Sequence, residues 1–409
     1  MTGALNGLKV VDLSNTLMGP YATQILADMG AQVIKVEPPE GDPARWLGPA
    51  RHPGMGAIFL QVNRGKRSLV LDLKTADGRE ALLRIAADAD LFVYNMRPKV
   101  MERLRLSYMD LTAVAPAIVY AGLFGFGQDG PAGARPAYDD LIQGRAAIPS
   151  LTLTAGAPYP RYVPLAMADR VVGLYGVGAI LAALWHRSRT GEGQQLDIPM
   201  FETMAGFVLA DHMGGRLFDP PEGPVGYARL LSKDRRPYAT SDGYVCVVIY
   251  NDRQWQRFLE VLGRPEVWRD DPRFQTIETR TRHIDAIYGM VADIMRERST
   301  AAWIELLEGA DIPVAPMSSI DDLIDDPHLA AKQFFVAMDH PTEGALRMPG
   351  IAAQFSLTAA AIDRGAPLLG ADSRQILREA GYADDTIDAL VTARITATPT
   401  SNGNAEVSR

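Results

Sequence analysis

The chemistry most open to reading in this chain belongs to Asp169. It sits in the stretch Ala166-Met167-Ala168-Asp169-Arg170-Val171-Val172-Gly173. Behind it run Val171, Val172, Leu174, Tyr175, Val177, Ile180, Leu181 and Leu184. Apolar on nearly every side, this segment predicts a buried helix with one carboxylate at its mouth. A carboxylate there is either a helix cap or a reactive group, and the segment alone favours the cap.

Two basic clusters suggest an anionic partner. Arg64, Lys66, Arg67 and Lys74 bracket a predicted strand over 68–71, and Arg97, Lys99, Arg103 and Arg105 follow another over 91–94. Cations at strand exits suit phosphate, because arginine offers a forked donor and lysine a point charge. Solvated helix faces would look the same. The glycine-rich turn 122–127 permits close backbone approach to a ligand. Tyr138, Asp139 and Asp140 open a helix, where either carboxylate would serve equally well as a cap.

The elements that must position these groups alternate. Strands are predicted over 8–13, 32–36, 68–71, 91–94 and 118–123, with helices over 21–29 and 77–87 between them. Gly30 falls where a helix C-cap belongs, and Gly19-Pro20 marks a helix start with proline at its first position. This rhythm predicts an α/β fold with a mostly parallel sheet. The first turn is not GxGxxG, which argues against a dinucleotide site. After a helix over 200–217, the run 219–224 reads as a linker. A strand over 243–250 and helices over 252–262, 282–296 and 300–309 then suggest a smaller domain at 225–325. Strand-like segments over 334–357 and a helix over 371–381 return the chain to the large domain, 1–220 with 330–395. Residues 396–409, rich in Thr, Ser and Asn, predict a disordered tail.

The 409 residues carry 47% hydrophobic and 22% charged side chains and a net charge of −8, the profile of a soluble globular protein. That balance disfavours a nucleic-acid or anionic-membrane surface. The single cysteine, Cys246, lies in a strand-like run and excludes an intramolecular disulfide, and no close Cys/His spacing marks a metal site. The apolar run 171–185 is too short to span a bilayer, and the N-terminus reads as a first strand, so a cytoplasmic protein is expected.

Taken in order, the blocks 12–37, 63–74, 95–104, 138–144, 190–194 and 366–370 resemble the class III CoA-transferases, the group of formyl-CoA transferase and carnitine CoA-transferase. The resemblance spans about residues 5–392. It implies a large Rossmann-like domain, a smaller α+β domain, and an interlocked homodimer. It implies CoA or acyl-CoA as a substrate, with no tightly bound cofactor and no metal, and a small carboxylic acid as the partner in exchange. Carried over by position, Leu71, Asp72, Leu73 and Lys74 would hold the nucleotide. Asn95, Met96, Arg97 and Arg103 would make further CoA contacts, with Tyr138 and Asp139 near the thioester end. Asp169 falls on the catalytic aspartate.

Departures from the pattern narrow the substrate. The racemase branch of the same superfamily uses a histidine where this chain has Tyr138, and an ordinary tyrosine is a poor base near neutrality. Oxalate-using members carry glutamine and tyrosine at the positions of Leu17 and Ile58, and a glycine run where residues 223–238 are interrupted by arginines and lysine. An arginine that contacts CoA in the family is replaced by Pro38. Leu17 and Met18 thus predict a less polar acyl pocket, and Arg229 is the candidate to hold a distal carboxylate, as of succinate.

Overall fold

The computed structural model describes residues 3–399, which form two compact units. The first unit comprises 3–142, 164–205 and 330–399; the second comprises Gln143–Val163 and Gly206–Leu329. The second unit is therefore wider than the predicted 225–325, and it takes in the segment Gln143–Val163 as well.

Short β-branched runs separated by helices give the first unit its sheet. The strands are β1 (Lys9–Asp12), β2 (Gln32–Glu37), β3 (Lys66–Val70), β4 (Leu91–Tyr94), β5 (Val119–Phe124) and β6 (Gln195–Pro199). They lie in the order β3-β2-β1-β4-β5-β6, and every pair is parallel. This is the doubly wound order, whose direction reverses between β1 and β4. All strand exits share one edge.

Helices of the first unit cover both faces, as a parallel sheet requires. The helices up to residue 212 are, in chain order, α1 (Met18–Asp28), α2 (Ala57–Val62), α3 (Ala76–Ala86), α4 (Pro98–Arg103), α5 (Tyr108–Val114), α6 (Asp139–Arg145), α7 (Ile148–Thr154), α8 (Met167–Thr190) and α9 (Met200–His212), of which α7 belongs to the second unit. Val11, Phe92, Tyr94 and Tyr120 face one core with Leu82, Ile85 and Leu111. The returning chain completes that core with Ile376, Leu377, Ile387 and Leu390. On the opposite face, α8 crosses α1 at Gly173, where a Cβ would lie 3.1 Å from the Met18 carbonyl oxygen and 3.0 Å from the Tyr21 ring. The two helices pack this closely because glycine leaves the space open.

Several expectations change. α1 begins at Met18, so Pro20 is its third residue. α8 has 24 residues, so its length does not rule out a bilayer span. One face of it packs into the first unit, through Val172, Gly176, Val177, Ile180 and Ala183. It is not buried all round, because Leu174, Tyr175 and Trp185 are exposed. Residues 334–357 form strands only as the hairpin β10 (Phe335–His340) and β11 (Gly344–Pro349). The tail prediction fails at its start, since Thr396 is buried and donates to the Val70 carbonyl at 2.7 Å. Residues 400–409 lie outside the described ones.

Three of the four members of the first basic cluster prove structural. Arg64 pairs with Asp28 at 2.7 Å, Lys66 is fully buried against Asp12 at 2.9 Å, and Arg67 pairs with Glu379 at 2.7 Å. The best-satisfied buried ion pair is Glu37–Arg45, bidentate at 2.7 and 2.8 Å. Arg45 also donates to the Pro367 carbonyl and lies 3.8 Å from the centre of the Phe59 ring. Ser68 bridges Glu37 to the backbone N–H of Gly370. The block 366–370 is thus a latch on the sheet.

The second unit carries a three-stranded antiparallel sheet, β7 (Tyr238–Ala239), β8 (Tyr244–Val247) and β9 (Val314–Pro316). Trp255, Phe258, Phe274 and Trp303 fill its core, with the Trp303 indole N–H donating to Met295 at 2.7 Å. Cys246 lies half-buried in β8.

Replacing Arg45 by Met leaves Glu37 as an uncompensated buried charge, which costs about 3–5 kcal/mol. Urea unfolding measures that loss, and a change below about 1 kcal/mol would show that the latch carries little stability.

Candidate active site

The order in which the chain lays down its strands reverses between β1 and β4, and the loops leaving those two strands part to open a cleft. The first loop is held unusually. Thr16 takes a positive φ of 67°, a region costly for a non-glycine residue. Its N–H donates to Asp42 at 3.0 Å, and Asp42 in turn pairs with fully buried Lys35 at 2.7 Å. Lys35 also donates to the Ser14 carbonyl at 2.9 Å. Asn95, in the loop after β4, accepts from the Asn15 N–H and donates to the Asn15 carbonyl, at 3.1 and 2.9 Å. The two loops are stitched together by one amide.

Around this stitch lies a cleft of about 470 Å³. Buried Leu17 and Met18 supply an apolar wall from the first loop, and Met96 and Arg97 line the side after β4. Tyr138 and Asp139 enter from the segment that begins α6, with Tyr138 71% exposed. Asp169 completes the cleft from the first turn of α8.

Asp169 is neither solvated nor salt-bridged into inertness. Burial first, and the nearby Asp139 charge second, push its carboxyl up to about 7, with Arg170 opposing only in part. The Arg170 guanidinium is turned onto the Tyr21 ring, 4.2 Å from its centre. The Asp169 backbone N–H donates to Asp139 Oδ1 at 3.0 Å. Asp169 is therefore not the cap of its own helix. That task falls to Asp139.

The glycine turn after β5 serves packing first. A Cβ on Gly125 would meet the Ala137 Cβ at 2.1 Å, so glycine lets this turn press against the strand of chain carrying Tyr138. Gly127 donates to Glu202 at 3.0 Å. Gly125 also lines the cleft.

Eight of the residues named from sequence thus meet in one place: Leu17, Met18, Asn95, Met96, Arg97, Tyr138, Asp139 and Asp169. Leu71, Asp72, Leu73 and Lys74 do not line the cleft; they form the turn after β3, on the same sheet edge, where Asp72 accepts from the Lys74 N–H. Arg103 ends α4, exposed and outside the cleft. Arg229 belongs to the second unit, where it lies 5.2 Å from the Tyr250 ring centre and lines a separate cavity of about 260 Å³ with Arg235 and Arg236. Sequence reasoning missed Arg135, Gln128 and Asn15 at the cleft. Arg135 stood three residues from Tyr138 and carried a legible signal; Asn15 is marked only by its partner Asn95.

Compared with known proteins, residues 5–373 match the model of CoA-transferase family III. The chain belongs to that family. It is 31% identical to human succinyl-CoA:glutarate CoA-transferase over 394 residues, covering 96% of this chain and 89% of that protein. It is 32% identical to succinate–glutarate CoA-transferase of Agrobacterium fabrum, covering 92% and 95% respectively. Among solved structures, a CAIB/BAIF family protein from Brucella suis is 32% identical with a TM-score of 0.77, covering 93% of this chain and 100% of that one. As a family III CoA-transferase, the protein is an enzyme that transfers CoA.

The raised pKa of Asp169 fixes the sign of a stability effect. The folded state binds a proton that the unfolded state has released between about 3.8 and about 7, so stability falls as pH rises through that window. Asp169→Asn should therefore raise the melting temperature at pH 8 and leave it nearly unchanged at pH 4, with a gain on the order of 2 kcal/mol. Calorimetry at the two pH values checks this, and an equal shift at both would remove the ionisation from the account.

Proposed function

We propose that this enzyme moves CoA from succinyl-CoA, or a similar short acyl-CoA, to a carboxylic acid through covalent intermediates on Asp169. A carboxylate aimed into the cleft at the point where the strand order reverses, its pKa pushed up to about 7 by burial, carries the reading. Its ionised form is a better nucleophile than an ordinary aspartate, and exchange between two carboxylic acids conserves a thioester without ATP.

An Asp169 oxygen attacks the thioester carbonyl, the C–S bond breaks, and an acyl–aspartyl anhydride and CoA thiolate result. The thiolate then attacks the aspartyl carbonyl, expels the donor acid as its carboxylate, and leaves an aspartyl-CoA thioester. The acceptor carboxylate attacks this thioester, releasing thiolate and forming a second anhydride. Thiolate attack on the acceptor's carbonyl frees Asp169 and the new acyl-CoA. Each step develops an oxyanion that donors preorganised in the cleft would stabilise. Leu17 and Met18 keep water from the anhydrides.

The CoA contacts belong to this proposal. Arg97 and Asn95 flank the cleft, and the turn Leu71, Asp72, Leu73, Lys74 leaves the same edge roughly 10–15 Å away by strand spacing. An extended pantetheine arm spans that distance. Arg103, exposed on the helix after β4, is assigned to the same ligand. Succinyl-CoA as donor is supported by the names of relatives that use it with glutarate or mesaconate. Arg229 remains the proposed holder of a distal carboxylate. A homodimer is supported by Leu174, Tyr175 and Trp185, which leave an apolar face of α8 exposed in the single chain. A cytoplasmic location is part of the same proposal; the single cysteine, Cys246, is compatible with a reducing compartment.

Incubation with succinyl-CoA and a panel of carboxylates, read by mass spectrometry, should yield new acyl-CoA products. Deuterium entering beside the thioester with no new product would support racemisation in place of transfer. Asp169→Ala should lower turnover about a thousandfold or more with CoA affinity little changed; near-normal turnover would exclude Asp169 from the reaction. Arg103→Ala should weaken CoA binding about fivefold, and unaltered affinity would return that arginine to solvent.

A further inference from the structure

The cavity of about 260 Å³ in the second unit gathers three guanidinium groups, and one of them has a carboxylate. Arg236 pairs with Asp234 at 3.0 Å. Arg229 lies over the Tyr250 ring, which leaves its N–H donors unspent. Neither Arg229 nor Arg235 has a side-chain hydrogen bond or ion pair among the described residues. Two permanent charges with no acid beside them call for an anion, although solvent could satisfy them if nothing else pointed to a ligand.

Tyr238 points to one. It lines the same cavity, is 6% exposed, and its hydroxyl has no hydrogen-bond partner among the described residues. A tyrosine buried this far ordinarily has its hydroxyl paired. Burial first, then Tyr288 and Asp234, push that hydroxyl well above the usual phenol range, with Arg229 and Arg236 opposing. It therefore stays a neutral donor, with two guanidinium groups near its oxygen. The remaining wall is apolar, since Ile249, Trp255 and Val291 are buried and carry no charge. An inorganic anion would leave that wall unused. A nucleotide would need more room, because pockets for larger ligands hold roughly 300–1,000 Å³.

We infer that this cavity is a binding site for the free carboxylate end of a short aliphatic acid, held by Arg229 and Arg235 and by a hydrogen bond from Tyr238, with the methylene chain against Ile249, Trp255 and Val291. The inference deepens the reading of Arg229 given above and rests on it in one respect, that the anion Arg229 meets is a carboxylate. Two sources share this chemistry: a free acid such as glutarate, and the acyl end of a dicarboxylic CoA thioester.

Cys246, the single cysteine of the chain, lies on the cavity wall and serves as its reporter. Saturating glutarate should slow alkylation of Cys246 by iodoacetamide about fivefold or more in the full-length protein, read by peptide mass spectrometry. Glutaramide, which has the same chain and no charge, should not. Tyr238→Phe and Arg229→Gln should each raise the glutarate concentration for half-protection about tenfold, whereas Arg216→Gln, an exposed arginine outside the cavity, should leave it unchanged. A succinyl-CoA analogue with a thioether in place of the thioester, compared with desulfo-CoA, separates the sources. Protection by the analogue alone places an acyl end in the cavity, and protection by glutarate places a free acid there. If Cys246 resists alkylation in the free protein, calorimetric titration with glutarate supplies the same comparisons. Equal effects of glutaramide and glutarate, an unmoved half-protection point in both Tyr238→Phe and Arg229→Gln, or no binding of either probe at concentrations on the order of 10 mM would overturn the site. Failure of the unsubstituted protein to transfer CoA would reject the proposed reaction and leave the binding result to stand.

Discussion

The candidate site depends on a layer of charge sealed beneath it. Asp12, Lys35, Glu37, Asp42, Arg45 and Lys66 are all buried, and their polar bonds run from β1 to the returning C-terminal segment. Burial alone would raise the pKa of Asp12, but Lys66 and Lys35, with the Ser14 and Thr23 hydroxyls, pull it down to about 2. Such a layer does little for net stability compared with an apolar core of the same volume. Its value here is directional. Lys35 and Asp42 hold the backbone of Ser14 and Thr16, and that loop cannot relax without exposing an unpaired buried charge.

From this base the cleft is assembled by few contacts. Asn95 ties the loop after β1 to the loop after β4, Gly173 lets α8 settle onto α1, and Asp139 fixes where α8 begins. Each acts on the backbone, so the reacting side chain inherits its aim from main-chain positions. The environment then sets its reactivity, because a half-enclosed aspartate beside another aspartate is a stronger base than one in water.

Much of the sheet was legible because periodicity reports burial directly. Leu91–Tyr94 and Thr300–Gly309 coincide with the elements read from pattern, since an unbroken apolar run marks the first and the Ser299 cap marks the start of the second. Lys35 and Lys66 were illegible for the opposite reason. A lysine in a strand reads as a solvent-facing residue or an anion ligand, and only the fold shows carboxylates waiting inside. The cleft residues near Asp169 followed from the ordered blocks, whereas Arg229 did not join them, because charge in a loop says nothing of which cavity it lines. Capping by Asp139 was an open alternative in the sequence; what was hidden was that it caps a different helix.

The latch at 366–370 also governs how this chain comes into being. A nascent polypeptide that has displayed β1 through β6 still lacks Pro367, Gly370, Ile376 and Leu390, so Arg45 and one flank of the sheet stay open until residues 366–390 have followed. The inserted unit, whose main segment is the contiguous Gly206–Leu329, leaves the ribosome before that closure. Truncations and late frameshifts therefore strike the oldest part of the protein as hard as the newest, and any chaperone serving this enzyme must shelter an unfinished parallel sheet.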